Sequence, residues 1–114
     1  MPNSGDVVDL DLGLPQGPEA GFSHPAVVVT SQQILDVQPS VLHVVPLTAT
    51  LRSFQSEVPV EPDESNGLRV ASAGQCQHLR AVALQRIGPA RGTVGPAVLA
   101  QIRETIAVIL DLPV

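Results

Sequence analysis

From Val8 the chain alternates apolar and acidic positions through Asp9, Leu10, Asp11 and Leu12, the period of a strand with one buried face. A first strand is therefore expected over residues 5–12. Residues 13–24 break the pattern with three Gly and two Pro in twelve positions, and long loops of this kind tend to carry function. Pro25-Ala-Val-Val-Val-Thr30 is a continuous β-branched run, the mark of a central strand covered on both faces. Residues 31–40 are polar and turn-like, with one helical turn available over Gln32–Leu35.

A second buried run spans Val41–Thr48. Pro46 lacks an N–H and demotes that end to a bulge or an edge. Alternation resumes from Phe54 to Glu61, with Phe54, Ser56, Val58 and Val60 on one side. Asn66-Gly67 closes a turn begun at Pro62, so 68–73 is expected to return as the partner strand. Residues 75–84 read as one more short strand, and Gly88–Gly95 as a breaker-rich linker. From Pro96 the period becomes helical. Val98, Leu99, Ile102, Ile106, Ile109 and Leu110 share a stripe, Thr93 is placed to cap it, and Leu112-Pro113 ends it. The expected architecture is mainly β, with five or six strands and one C-terminal α-helix.

The 114 residues fit one domain, and a chain of this length buries roughly 65% of its unfolded surface without metal or disulfide staples. Phe22 and Phe54 are the only aromatic residues, so aliphatic side chains must build the core. No apolar run approaches the ~18 residues of a membrane span, and the start resembles no signal peptide. A cytoplasmic location is expected, in keeping with a single cysteine, Cys76.

Charge narrows the function. All six cations are Arg, set against eleven carboxylates for a net charge of −5. That balance argues against a general nucleic-acid coat, whose affinity comes from neutralising phosphates. Five of the six Arg nevertheless lie between residues 69 and 103. Cys76 and His78 lack the paired spacing of a zinc site, and Cys76 reads as a small buried hydrophobe. Asp6, Asp9 and Asp11 read as a solvated strand face rather than a cation site. Phosphate-binding loops, dinucleotide fingerprints and nucleophile elbows are absent from the sequence. No metal or other cofactor is expected. Two strand–loop junctions remain as candidates: Ser23-His24-Pro25, where the proline pushes His24 to an extended backbone, and Pro46-Leu47-Thr48.

Taken in order, Gly5-Asp6-Val7, Gly17-x-Glu19-x-Gly21, His24-Pro25-Ala-Val-Val-Val, Val44-Val-Pro-Leu-Thr48 with Leu51-Arg52, Gln77-His78-Leu79-Arg80 and Arg91-Gly-Thr-Val-Gly-Pro96 resemble the MazF/PemK/Kid toxins. These are the toxin halves of toxin–antitoxin pairs. The resemblance covers essentially the whole chain as one toxin domain, 1–114. It implies an SH3-like antiparallel β-barrel of the MazF/CcdB type, a homodimer, and a MazE-like antitoxin as partner. It also implies a sequence-specific endoribonuclease that cuts single-stranded RNA without a metal. Such enzymes use the RNA's own 2′-hydroxyl and leave a cyclic phosphate and a 5′-hydroxyl.

Carried onto this sequence, the resemblance makes His24, Thr48 and Glu19 the catalytic positions and Arg52, Ser53, Arg80 and Gln77 the RNA-binding ones. RNA would cross a groove between the 13–24 loop and the Thr48–Phe54 segment. Two departures, at His24 and Gln77, fall on these positions, and others lie elsewhere in the pattern. His24 stands where the family has its chief catalytic Arg. Asp9 replaces a strand Trp, Gln77-His78 replaces an Asp-Gln pair, and Pro18 replaces a loop His found in some members. An imidazole exchanges protons near neutral pH but lacks the permanent bidentate cation of a guanidinium. Two alternatives therefore stand beside the ribonuclease: a weakened or inactive relative that acts by binding, and a gyrase poison of the CcdB type. The absence of an aromatic residue at the C-terminus weighs against the second.

Overall fold

A computed structural model describes residues 1–11 and 23–113. Its strands are β1 (Asp6–Asp11), β2 (Ser23–Val28), β3 (Val41–Thr48), β4 (Glu57–Val60), β5 (Ser72–Gln75), β6 (Arg80–Ala83) and β7 (Ile87–Thr93). The helices are a single turn, α1 (Gln32–Leu35), and the long α2 (Gly95–Ile109). The strands pair antiparallel in the order β4-β5-β3-β2-β1-β7, and β6 lies on the first half of β3. Mainly β with a C-terminal helix is what the periodicity predicts. No helix among the described residues is long and apolar enough to cross a membrane.

The apolar runs within β2 and β3 follow from a sheet covered on both sides. One face carries Val7, Val27, Val45 and Leu47, packed with Val58 and Val60 of β4 and with Ile102 and Ile106 of α2. The opposite face carries Val8, Leu10, Ala26, Val28, Leu42, Val44 and Val82, closed over by Leu35 of α1. Successive residues of a strand point to opposite faces. With a core on each side, the buried positions of both runs are apolar, and His43, the polar residue within β3, is exposed.

Several expected boundaries shift. The stretch read as a Gly/Pro linker is strand β7, which pairs only with β1 and with two register irregularities. Edge strands and bulges are where breaker residues are tolerated. The partner of β4 begins at Ser72 rather than Leu68, because side chains hold residues 61–68 in a longer turn. Asp63 Oδ1 accepts from the backbone N–H of Ser65 and of Asn66, both at 2.8 Å, and Asn66 Nδ2 donates to Glu61 O at 2.7 Å. Phe54 is exposed, outside β4. Residues 75–84 divide into a 3-10 turn (Cys76–His78) and β6. Pro46 lies in a central strand, at the step where β3 exchanges β6 for β5 as its neighbour, so its missing N–H falls between ladders. On α2 the buried stripe is Ile102, Ile106 and Ala107, whereas Ile109 and Leu110 face outward.

Strand pairing does not close the ring between β4 and β7, and the β4–β5 connection does so instead. Thr93 N donates to Ser65 O at 2.8 Å. A Cβ on Gly92 would stand 2.1 Å from Ser65 O, and one on Gly67, at φ +68°, would stand 2.7 Å from Arg91 O. Only glycine lets the two backbones meet here.

Candidate functional site

The second core face ends in polar residues at one edge. Going outward along each strand, Val28 and Ala26 lead to His24, Val44 and Pro46 lead to Thr48, and Val82 leads to Arg80. Directly paired residues share a face. Leu10 pairs with His24, Val44 with Arg80, and Ala26 with Pro46. Thr48 lies two residues beyond the last of these pairs, where β3 pairs with Ala73 of β5. The result is a cleft of about 300 Å³ lined by Leu10, His24, Pro46, Gln75, His78 and Arg80. Its floor is apolar and its walls carry two imidazoles, an amide and a guanidinium. Arg80 is exposed and forms no ion pair among the described residues.

A second cluster adjoins the first through Gln75. Arg52 Nη2 donates to Glu57 Oε2, an acceptor shared with Gln77 Nε2 at 2.7 Å and Gln75 Nε2 at 3.4 Å. The Arg52 guanidinium also lies 4.7 Å from the centre of the Phe54 ring. Burial of Glu57 would raise its pKa. The hydrogen bonds from Arg52, Gln77 and Gln75, with the charge of Arg52, outweigh burial and hold the carboxyl below its ordinary value. Glu57 is ionised at neutral pH. A smaller cleft of about 140 Å³ beside this pair is lined in part by Leu51, Arg52, Ser53 and Glu57. Ser53 is exposed and takes a left-handed backbone at φ +56°.

The predicted site residues thus fall into two linked groups. His24, Arg80 and the end of β3 bearing Thr48 form the first, and Arg52, Ser53 and Gln77 form the second. His24 lies in β2, not in a loop. Arg52 is not a free cation but is tied to Glu57. Thr48 Oγ1 accepts from Thr50 N at 3.1 Å, which fixes the turn leaving β3. Glu19 and most of the 13–24 loop lie outside the described residues. Glu57, Gln75 and His78 are additions of the structure. Strand alternation points Glu57 away from the core, so only the Arg52–Glu57 charge pair hinted at its partner. His78 was open to discovery through its two-residue spacing from Arg80.

Chemistry elsewhere is weaker. Among the described residues no group of His, Cys, Asp and Glu could hold a metal ion. Cys76 is buried, and burial first, with the Glu57 charge adding, pushes its thiol up to about 11. Asp9 is not simply solvated, since Arg91 grips it at 2.7 Å and 3.1 Å. Asp9 also lines a wider groove of about 400 Å³ along β1 and the start of β7.

Residues 3–110 match the family described as PemK-like, MazF-like toxins of type II toxin–antitoxin systems. The chain belongs to that family. Endoribonuclease MazF9 of Mycobacterium tuberculosis is 29% identical to this toxin, over 98% of each chain. A MazE–MazF structure from Deinococcus radiodurans shares the fold, with a TM-score of 0.78, 22% identity, and 98% and 97% of the two chains covered. A mycobacterial endoribonuclease in complex with its cognate antitoxin superposes with a TM-score of 0.76 at 24% identity, over 100% of this toxin and 99% of that chain. The ordered motifs along the sequence lead to the same family, and the antiparallel sheet with its terminal helix is the fold shared with these structures.

Proposed function

We propose that this toxin is a metal-independent endoribonuclease that cleaves single-stranded RNA in the cytoplasm, with the His24 cleft as its active site. The observation that carries the reading is that His24 and Arg80, from different strands, line one cleft whose wall continues through Pro46 toward Thr48 at the end of β3. Cleavage through the 2′-hydroxyl needs a proton acceptor or donor beside the reacting oxygens and donors for the charge that builds on phosphorus. His24 is the group that exchanges a proton. Arg80 is the permanent cation for the phosphoryl oxygens, and the Thr48 hydroxyl adds a neutral donor.

Arg52 binds the flanking backbone. Glu57 holds one of its nitrogens, and a guanidinium has further N–H donors to offer a phosphate. Gln77 and Ser53 lie along the same path, with Glu19 orienting the loop or a base. The acidic net charge is compatible with RNA because the cations are concentrated: Arg52 and Arg80 serve the two linked clusters while the carboxylate between them, Glu57, is buried and paired. The toxin works as a homodimer held in check by a MazE-like antitoxin. With so acidic a toxin, that antitoxin binds the RNA groove mainly through apolar contacts.

Incubation of the purified, chelator-treated protein with a long single-stranded RNA tests the reading. Discrete ends mapped by primer extension, absent with His24→Ala, are expected. Intact RNA at high concentrations of folded protein would refute it.

A further inference from the structure

His24 shares its cleft with a second imidazole. His78 comes from the 3-10 turn that precedes β6, and it lines the same 300 Å³ space as His24 and Arg80. The two histidines are far apart in sequence. They are also two of the positions where this chain departs from the family pattern, His24 from Arg and His78 from Gln. Both departures insert a proton-exchanging group into one cleft. Building on the ribonuclease reading above, we propose that His78 is a second catalytic residue, which with His24 forms a two-histidine acid–base pair for RNA cleavage.

The chemistry asks for two proton transfers at opposite ends of one displacement. The 2′-hydroxyl must lose its proton as its oxygen bonds to phosphorus, and the 5′-oxygen must gain one as its bond to phosphorus breaks. A neutral imidazole takes the first proton and a protonated imidazole delivers the second. The products are a 2′,3′-cyclic phosphate and a 5′-hydroxyl. Phosphorus keeps its oxidation state, no water is consumed, and the net protonation of the pair is unchanged. One imidazole can serve only one end at a time. Two imidazoles, one on β2 and one before β6, serve both.

The surroundings suit that division. Among the described residues lining the cleft, β1 gives Leu10, β3 gives Pro46, β5 gives the neutral amide of Gln75, and β6 gives Arg80. Among the described residues of that lining, His24, His78 and Arg80 are the ionisable ones and none is a carboxylate. Gln75 donates to Glu57 at 3.4 Å, so this amide stands between the cleft and that buried acid, while Asp9 and Asp11 flank Leu10 on β1. Arg80 stays charged throughout, so phosphorane stabilisation is separate from proton transfer.

The experiment uses the whole protein with an RNA oligonucleotide containing one mapped cut site, and follows rate against pH for wild type, His78→Ala and His78→Gln. His78 is exposed, and melting curves establish that both variants are folded. Wild type should give a bell-shaped profile. Each variant should lose about 10²-fold or more in rate, as expected for removing one proton-transfer group, and retain a single limb. A substrate with sulfur in place of the bridging 5′-oxygen, whose leaving group needs no acid, should restore the rate of one of the two histidine variants, His24→Ala or His78→Ala, and not the other. Wild-type rates and an unchanged bell in both His78 variants would overturn the proposal while leaving the ribonuclease intact. Intact RNA with wild type would overturn both.

Discussion

Arg52 and Glu57 form an ion pair whose carboxylate side chain is 2% exposed and whose guanidinium is 37% exposed. A buried acid held by a half-exposed base is an anchored arm: the acid is fixed by Gln75 and Gln77, and the base is fixed by the acid. The segment between β3 and β4 is positioned through this contact rather than through a core of its own, since Leu51 and Phe54 are both exposed.

Stability should therefore depend on the ionisation of Glu57. Its carboxyl is held below the ordinary value of 4.5, so the native state binds the proton more weakly than the unfolded chain. The pair contributes fully above that ordinary value and fades as pH falls through the lower folded value. Melting temperature should be level above about pH 5.5 and fall below about pH 4.5, as the ordinary carboxylate range is crossed. Glu57→Gln should cost about 1–2 kcal/mol at neutral pH, a figure kept modest by the solvent around Arg52, and should flatten the acid limb. Thermal melts across that range on both proteins decide the matter. An unaltered acid limb in the variant would remove Glu57 from the account.

The seam between β7 and the β4–β5 connection makes a separate demand. Gly92→Ala puts a methyl group where the Ser65 carbonyl oxygen stands, and one of two backbones must move. The expected loss is about 2–3 kcal/mol by denaturant titration. A variant as stable as wild type would mean that the seam is loose.

Cys76 should report on folding. Buried, with its thiol raised to about 11, it is neutral and shielded at physiological pH. A thiol reagent should label it only as the chain unfolds, and labelling should follow the denaturation curve. Rapid labelling of native protein would contradict the packing of Cys76 against α2.

His24 can also be exchanged for the residue its relatives carry. His24→Arg should fall toward the level of His24→Ala, because Arg supplies a cation but no proton transfer near neutral pH. Cleavage at or above the wild-type rate would mean that the cleft needs a cation, not an imidazole, at that position. Cleavage rates for the three proteins on one RNA separate these outcomes.

How much of this the sequence disclosed depended on whether local pattern and tertiary packing agreed. The runs 25–30 and 41–48 announced central strands because two cores demand apolar residues at the positions they cover, with exposed His43 the exception inside the second run. The helix was legible through its stripe, although Ile109 and Leu110 at its end are exposed and periodicity alone cannot say where packing stops. Strand β7 was hidden by Gly88, Pro89 and Gly92, residues that signal a loop unless an edge or bulge accommodates them. Motif order named His24 and Arg80 as candidates, but their meeting in one cleft is a matter of register, which no local pattern encodes. Glu57 escaped notice because a buried carboxylate depends on partners five, eighteen and twenty residues away.

The central claim, that the His24 cleft cleaves RNA through the substrate's own 2′-hydroxyl, is tested most directly with a single deoxynucleotide. An RNA oligonucleotide is prepared in two forms that differ only in the 2′-hydroxyl at the mapped cut, and each is incubated with chelator-treated protein. The account predicts a 2′,3′-cyclic phosphate from the all-ribose strand and no cut at that position in its deoxy counterpart. Cleavage of both strands at the same position would contradict it, because the 2′-oxygen would then have no part in the reaction.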